Sequence, residues 1–400
     1  MNNPVHCNLL YSIVRSALLS CCLLFVGCSK SRADTDMAMD VHDISGSCTM
    51  PHACSEHHRA ATLEDLALKP VWHYKINAAR ANILVERNML YCMSRRGELH
   101  AVDMSLQNVE QCVWKARVSE RAGELFSLAI CGELVVVCDA FKNCVALNKK
   151  TGQRVWDVKL YAPAYGDAIT VHANKIYVQD INNGVYVIDP SGNILMHMSV
   201  GNENNTFIGV SAPLLYKDLL ILGSTHGNVF AYRMSQGSLE WSEFITPSAT
   251  FLSNQLRASG VRRKNVGYFS STCARTIAID LAHGDIMWDA DYGTYRSPLL
   301  GENHMYLCTT SGCVVCLDLR DGSLCWNSAC ELTVSVNSYL VLCKGYVLCI
   351  DVNGYVAWLK RSNGTLLQYA SLHKPIYSEP VIINKVMYLN HGRKGIIAYT

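Results

Sequence analysis

The spacing of the tryptophans is the strongest constraint on what this chain can fold into. Trp72, Trp114, Trp156, Trp241, Trp288 and Trp326 share one register with Met196 and Gln368, and the steps between the eight positions are 42, 42, 40, 45, 47, 38 and 42 residues. Of the seven tryptophans only Trp358 stands outside it. Self-similarity at such a period marks a repeat architecture. Each unit is too small to bury its own apolar face and must stack on its neighbours.

The text before each aromatic shows what the unit is. One copy runs Ala146-Leu147-Asn148-Lys149-Lys150-Thr151-Gly152-Gln153-Arg154-Val155-Trp156: an apolar strand end, a turn residue, a Gly and then the aromatic. Ala278 to Trp288 and Cys316 to Trp326 match it slot for slot. Ala231 to Trp241 carries Arg233 in the acidic slot, Val187 to Met196 is one residue shorter, and Ala101 to Trp114 lacks the Gly. An Asp or Asn side chain that bonds nearby backbone N–H groups, followed by a Gly at positive φ, closes a hairpin. Upstream of each phrase stand another turn and an apolar run such as Leu134-Val135-Val136-Val137, and before that a short strand often opened by Ser-x-Pro, as in Ser211-Ala212-Pro213. Four short strands in 40 to 45 residues make a propeller blade.

Counting gives the closure. The last unit supplies three strands ending in Ile396-Ile397-Ala398-Tyr399 and stops before its aromatic strand, while residues 70–76 are an aromatic strand with no preceding three. The expected fold is therefore all-β, an eight-bladed propeller of four-stranded antiparallel blades. Residues 70–76 join the last blade, and a ring latched this way leaves no open edge at the junction.

The N-terminus is of another kind. Arg15 precedes a short apolar stretch, Ala17 to Val26, that ends at Gly27. A basic residue, a short apolar core and a small residue at the cut describe a secretory signal peptide, here residues 1–27. Residues 28–69 are polar and aperiodic and are expected to be a tether. Within them Cys48, His52, Cys54, His57 and His58 offer soft and borderline ligands. Their spacing matches no structural zinc pattern, so no metal site is assigned. No apolar run approaches the roughly 20 residues that span a bilayer as a helix. A formal net charge of +2, with 17% charged residues, gives no reason to expect a nucleic-acid partner.

Of the 19 cysteines, Cys7, Cys21 and Cys22 leave with the signal peptide. Most of the remainder sit in strand patterns, where Cys acts as a small hydrophobe. Cys313 and Cys316 have redox spacing, but side chains three apart in a strand point to opposite faces, so they are expected to pack rather than pair.

The Ala-x-Asp-x-x-Thr/Asp-Gly-x-x-x-Trp phrase resembles the quinoprotein (PQQ-like) β-propeller repeat. Phe25-Val26-Gly27-Cys28 resembles a bacterial lipobox, which makes Cys28 the lipidated residue, and Ser29 after it favours the outer membrane. A lipobox, a tether and eight such repeats are similar to the BamB-like lipoproteins of the outer-membrane β-barrel assembly machinery. The resemblance implies a non-catalytic scaffold on the periplasmic face, without a cofactor. Its implied partners are the barrel-assembly subunit (BamA-like) and other assembly lipoproteins. In such proteins an apolar loop with an Arg precedes a Gly-x-Ser-Ala-Pro blade start. Here that stretch is residues 205–213, with Phe207 kept and Ile208 where Arg is expected. The next long connector, often acidic in the family, is basic here. The two connectors, 201–212 and 246–265, are the longest, and long loops on a rigid ring are where binding usually sits. Phe207, Ile208, Leu256, Arg257, Arg262 and Arg263 are the expected docking residues.

Two other functions are weighed. A quinone-dependent dehydrogenase shares the repeat, but its resemblance calls for a vicinal Cys pair on the quinone, and the one Cys-Cys here, Cys21-Cys22, lies in the signal peptide. A surface adhesin or ligand-binding propeller on the same anchor differs in being exposed outside the cell.

Overall fold

The computed structural model describes residues 68–106, 111–199, 211–224, 227–245, 256, 258–272, 275–328 and 334–400. The signal peptide, Cys28 and the Cys48–His58 cluster lie outside them. The described chain forms eight four-stranded antiparallel sheets, each a blade. Blades 1 to 7 span 84–117, 126–159, 169–199, 214–244, 261–290, 299–327 and 339–371. Blade 8 spans 381–399 and takes Pro70–Tyr74 as its outer strand. The all-β eight-bladed ring closed by its N-terminal strand is thus what the repeat count requires, with the closing strand two residues shorter than 70–76.

Burial follows strand position. In most blades the second and third strands are largely buried, as in Leu134–Asp139, whereas the outer strands alternate, as in Arg154–Lys159. Each blade is sandwiched between two others, so its middle strands bury both faces and only the outer strand meets water on one. The hairpin between second and third strands is capped in many blades by one side chain at its start. The Asp139 carboxylate accepts from the N–H groups of Phe141 and Asn143, and that of Asp180 from Asn182 and Gly184. Ser94, Ser224 and Thr309 accept in the same way from Glu98, Asn228 and Cys313.

The repeated phrase joins neighbouring blades rather than one blade to itself. In five blades the turn Gly lies under the tryptophan of the blade before it. A Cβ on Gly152 would come within 2.6 Å of the Trp114 ring, and Gly192, Gly284, Gly322 and Gly364 stand likewise on Trp156, Trp241, Trp288 and Trp326. The same turn accepts the indole N–H: Trp114 donates to the Lys149 carbonyl at 3.1 Å, Trp156 to Pro190 at 3.0 Å, Trp241 to Leu281 at 3.3 Å, Trp288 to Leu319 at 3.0 Å and Trp326 to Arg361 at 2.9 Å. Gly is needed twice over, for the positive φ and because no side chain fits beneath the ring.

A bulge sets each ring in place. In all eight blades the outer strand carries one extra residue just before the aromatic slot: Val71, Val113, Val155, Leu195, Glu240, Met287, Cys325 and Leu367. A bulge re-aims the following side chain and sharpens the local twist. Opposite the six register tryptophans stand Ala398, Ala101, Ala146, Ala231, Ala278 and Cys316, all small. Met196 faces the larger Val187, and Gln368 faces Trp358. The stray tryptophan is thus the blade 7 ring, moved one strand inward and fully buried.

The cysteines pack as expected. Eleven are free among the described residues, nine of them buried. Cys313 lies in the core cluster shared by blades 5 and 6, Cys316 in that shared by blades 6 and 7, so the two face opposite ways.

Candidate functional site: the connector face around blade 4

Connectors from outer strand to next inner strand all emerge on one face. The two long ones flank blade 4, and their C-terminal ends are tied together there. The Ala212 N–H donates to Ser259 Oγ at 2.8 Å, Ser211 Oγ donates to the Gly223 carbonyl at 3.3 Å, and Gln179 Nε2 reaches that carbonyl at 3.1 Å. Thr170 of blade 3 donates to the Pro213 carbonyl at 2.7 Å. Gly260 admits no Cβ, because the Phe269 ring would stand 2.3 Å away. Blades 3, 4 and 5 therefore share one hydrogen-bonded base, built from the described C-terminal ends of the two connectors. Ser259 and Gly260 were not singled out from the sequence, where a Ser-Gly pair in a loop carries no periodic signal.

The expected docking residues divide on this base. Phe207, Ile208 and Arg257 lie outside the described residues. Leu256 is 2% exposed and packs with Ile221, Ile245 and Phe269, against Gly223. It anchors its connector from below. Arg262 and Arg263 are not in the connector: the inner strand of blade 5 is Val261–Arg263, so the connector ends at 260 rather than 265. Apolar Val261 alternates with polar neighbours there, and Lys264 at φ 53° makes the turn. The guanidinium of Arg262 donates to the Lys264 carbonyl, and that of Arg263 reaches the Gly301 carbonyl of blade 6 at 3.4 Å. The structure thus joins Leu256 to the connector base and sets the two arginines at the other end of a short strand.

Nearer the ring axis, residues just ahead of the inner strands, joined by Arg95 of a blade 1 hairpin, form a partly buried polar collar. Asn82 donates to Asp167 at 3.5 Å, and the outer oxygens of Glu124 hold Arg80 and Arg95 at 3.0 and 2.9 Å. The Arg296 guanidinium lies 4.1 Å from the centre of the Tyr339 ring and donates to the Asn337 carbonyl. These contacts cross between blades and fix the connector ends. In blade 8, His391 donates through Nδ1 to the Pro375 carbonyl at 2.9 Å and accepts the Tyr399 hydroxyl at Nε2 at 3.0 Å. Burial pushes its pKa down to about 4, so the ring is neutral. Among the described residues no group of His, Cys, Asp and Glu could hold a metal ion.

Fold and site together define a rigid propeller of PQQ-type repeats with a two-connector face. The chain belongs to the family described as "Outer membrane protein assembly factor BamB", whose model matches residues 106–328. Among its relatives is the Yersinia pestis protein of that name, 22% identical over 331 residues that cover 78% of this chain and 82% of the relative. The Escherichia coli (strain K12) protein of the same name is 23% identical over 290 residues, 69% of this chain and 73% of its own length. The crystal structure of BamB from Moraxella catarrhalis superposes with a TM-score of 0.70 at 16% identity, covering 84% of this chain and all of that one. A europium-containing methanol dehydrogenase superposes with a TM-score of 0.66 at 12% identity, over 80% of this chain and 84% of its own. At such identities the structural likenesses speak for the fold alone.

Proposed function

We propose that this chain is a non-catalytic scaffold in outer-membrane protein assembly. It is lipid-anchored at Cys28 to the periplasmic face of the outer membrane, and residues 28–69 tether the 70–400 propeller. The observation that carries this reading is the family match over more than half the chain, on relatives named as assembly factors. The ring supports it physically: five indole-on-glycine contacts cross-brace neighbouring blades into a stiff frame, and the described ends of the two long connectors share one hydrogen-bonded base. The partner is a barrel-assembly subunit of the outer membrane. Phe207, Ile208 and Arg257 meet it from the connectors that Leu256 anchors, and Arg262 and Arg263 supply positive charge from the adjoining strand. A rim charge mainly sets the rate of encounter and its salt dependence.

The test is co-purification of the tagged, lipidated protein with outer-membrane barrel-assembly components. Recovery of those components is expected, and their absence would overturn the assembly role. The Arg262→Glu/Arg263→Glu variant, checked for an unchanged melting temperature, is expected to lose them; undiminished recovery would remove the two arginines from the interface. Cys28→Ala is expected to move the protein out of the membrane fraction. Protease treatment of intact cells is expected to leave it uncut, whereas an adhesin would be shaved.

A further inference from the structure

Every blade has its bulge at the same place, but in blade 6 alone both residues that meet across it are cysteines. Cys316 occupies the third-strand slot that holds Ala in five other blades, and Cys325 is the extra residue of the outer strand. In the other blades the extra position holds Val, Leu, Met or Glu. The register puts Cys325 and its neighbour Trp326 together opposite Cys316, and burial pushes the pKa of both thiols up. Their exposures are opposite: Cys325 is the one exposed free thiol among the described residues, and Cys316 is 1% exposed. Cys316 pairs across the strands with Tyr306, whose hydroxyl accepts from Arg361 Nε of blade 7 at 3.0 Å. The pair thus sits at the foot of Trp326, the ring that docks blade 6 on Gly364 of blade 7.

We propose that Cys325 and Cys316 form a thiol–disulfide exchange site that takes a small-molecule or protein disulfide as its substrate. The Cys325 thiolate attacks one sulfur of the incoming disulfide and expels the first partner thiolate, leaving a mixed disulfide on Cys325. The Cys316 thiolate then attacks the Cys325 sulfur, expels the second partner thiolate and closes a disulfide across the bulge. The two cysteine protons pass to the two departing thiolates. Two cysteine thiols are oxidised and one disulfide is reduced to two thiols. Access orders the steps, because an oxidant can reach Cys316 only through Cys325. The product pins the third strand to the outer strand beside the Trp326 anchor. Cys138 and Cys144 provide the contrast: they face each other directly across a hairpin, but both are fully buried, so no oxidant reaches them in the folded ring.

The experiment treats the folded mature chain with oxidised glutathione and maps the cysteines by mass spectrometry after alkylation. Wild type is expected to lose two hydrogens and to show one new linkage, Cys316–Cys325, with Cys138 and Cys144 still alkylated as free thiols after unfolding. Cys316→Ala restores the residue of five other blades, so it is expected to fold and to accumulate a stable glutathione adduct on Cys325. Cys325→Ser is expected to take up neither. The proposal is overturned if wild type and Cys316→Ala hold equal, lasting adducts on Cys325, if the first linkage forms elsewhere, or if folded wild type is not modified at all.

Discussion

At the scale of single residues, two glycines with the same backbone conformation should respond differently to a methyl group. Gly152 has φ 71° and lies under the Trp114 ring, and Gly237 has φ 69° with nothing within 4 Å of where a Cβ would stand. The left-handed conformation costs an alanine about 1–2 kcal/mol at either site. At Gly152 the methyl also forces the ring off its seat, which adds about 1–3 kcal/mol. Gly152→Ala should therefore lower stability about twice as much as Gly237→Ala or more, read as urea midpoints of the two variants. Equal losses would mean that the ring does not rest on the turn. The sequence showed Gly and Trp as parts of one phrase, yet the two belong to different contacts. Spacing along a chain does not show that a residue's partner is one blade away.

At the scale of elements, the departures from the phrase follow volume. Trp sits opposite Ala or Cys, Met196 opposite Val187, and Gln368 opposite Trp358. Met196 belongs to the one docking position where the next blade's turn Gly, Gly237, is bare. Introducing Trp there without making room overpacks the slot against Val187, so Met196→Trp alone should be neutral or destabilising. With Val187→Ala the ring gains its small partner and Gly237 as its platform. The double variant should be about 1–2 kcal/mol more stable than the sum of the singles predicts, a coupling that a double-mutant cycle reads directly. Simple additivity would sink the volume rule. Blade number, strand order and closure were all legible from the repeat, because period and turn chemistry are local. The end of the connector at 260 was not. Val261, Arg262 and Arg263 are too few to show alternation, and only pairing with residues 266–268 makes them a strand.

For the whole molecule, stability depends on how the ring is latched, and the latch contains a group that titrates. Residues 70–74 pair with 396–399, and Lys69 and Thr400 exchange backbone hydrogen bonds of 3.1 Å in both directions. Behind that seam His391 accepts the hydroxyl of Tyr399, whose backbone partner is Pro70. The imidazole has no room for a second proton. Burial disfavours the cation, and Lys374 and His73 stand near enough to oppose a further positive charge. Its folded pKa of about 4 lies below the unfolded value of 6.5. Above pH 6.5 both states are neutral there and the contribution is intact. As the pH falls from 6.5 towards 4 the unfolded chain takes up a proton that the folded ring refuses, so stability is lost by up to about 3 kcal/mol. His391→Gln keeps a donor for Pro375 and an acceptor for Tyr399 but cannot titrate. Its unfolding free energy should be lower than wild type at pH 7 and should fall less steeply between pH 6.5 and 4.5, by close to one proton in the linkage slope. Parallel pH profiles for the two proteins would show that the latch does not owe its acid sensitivity to this histidine. Converging profiles near pH 4 would place acid opening of the ring at the blade where the two ends of the chain meet.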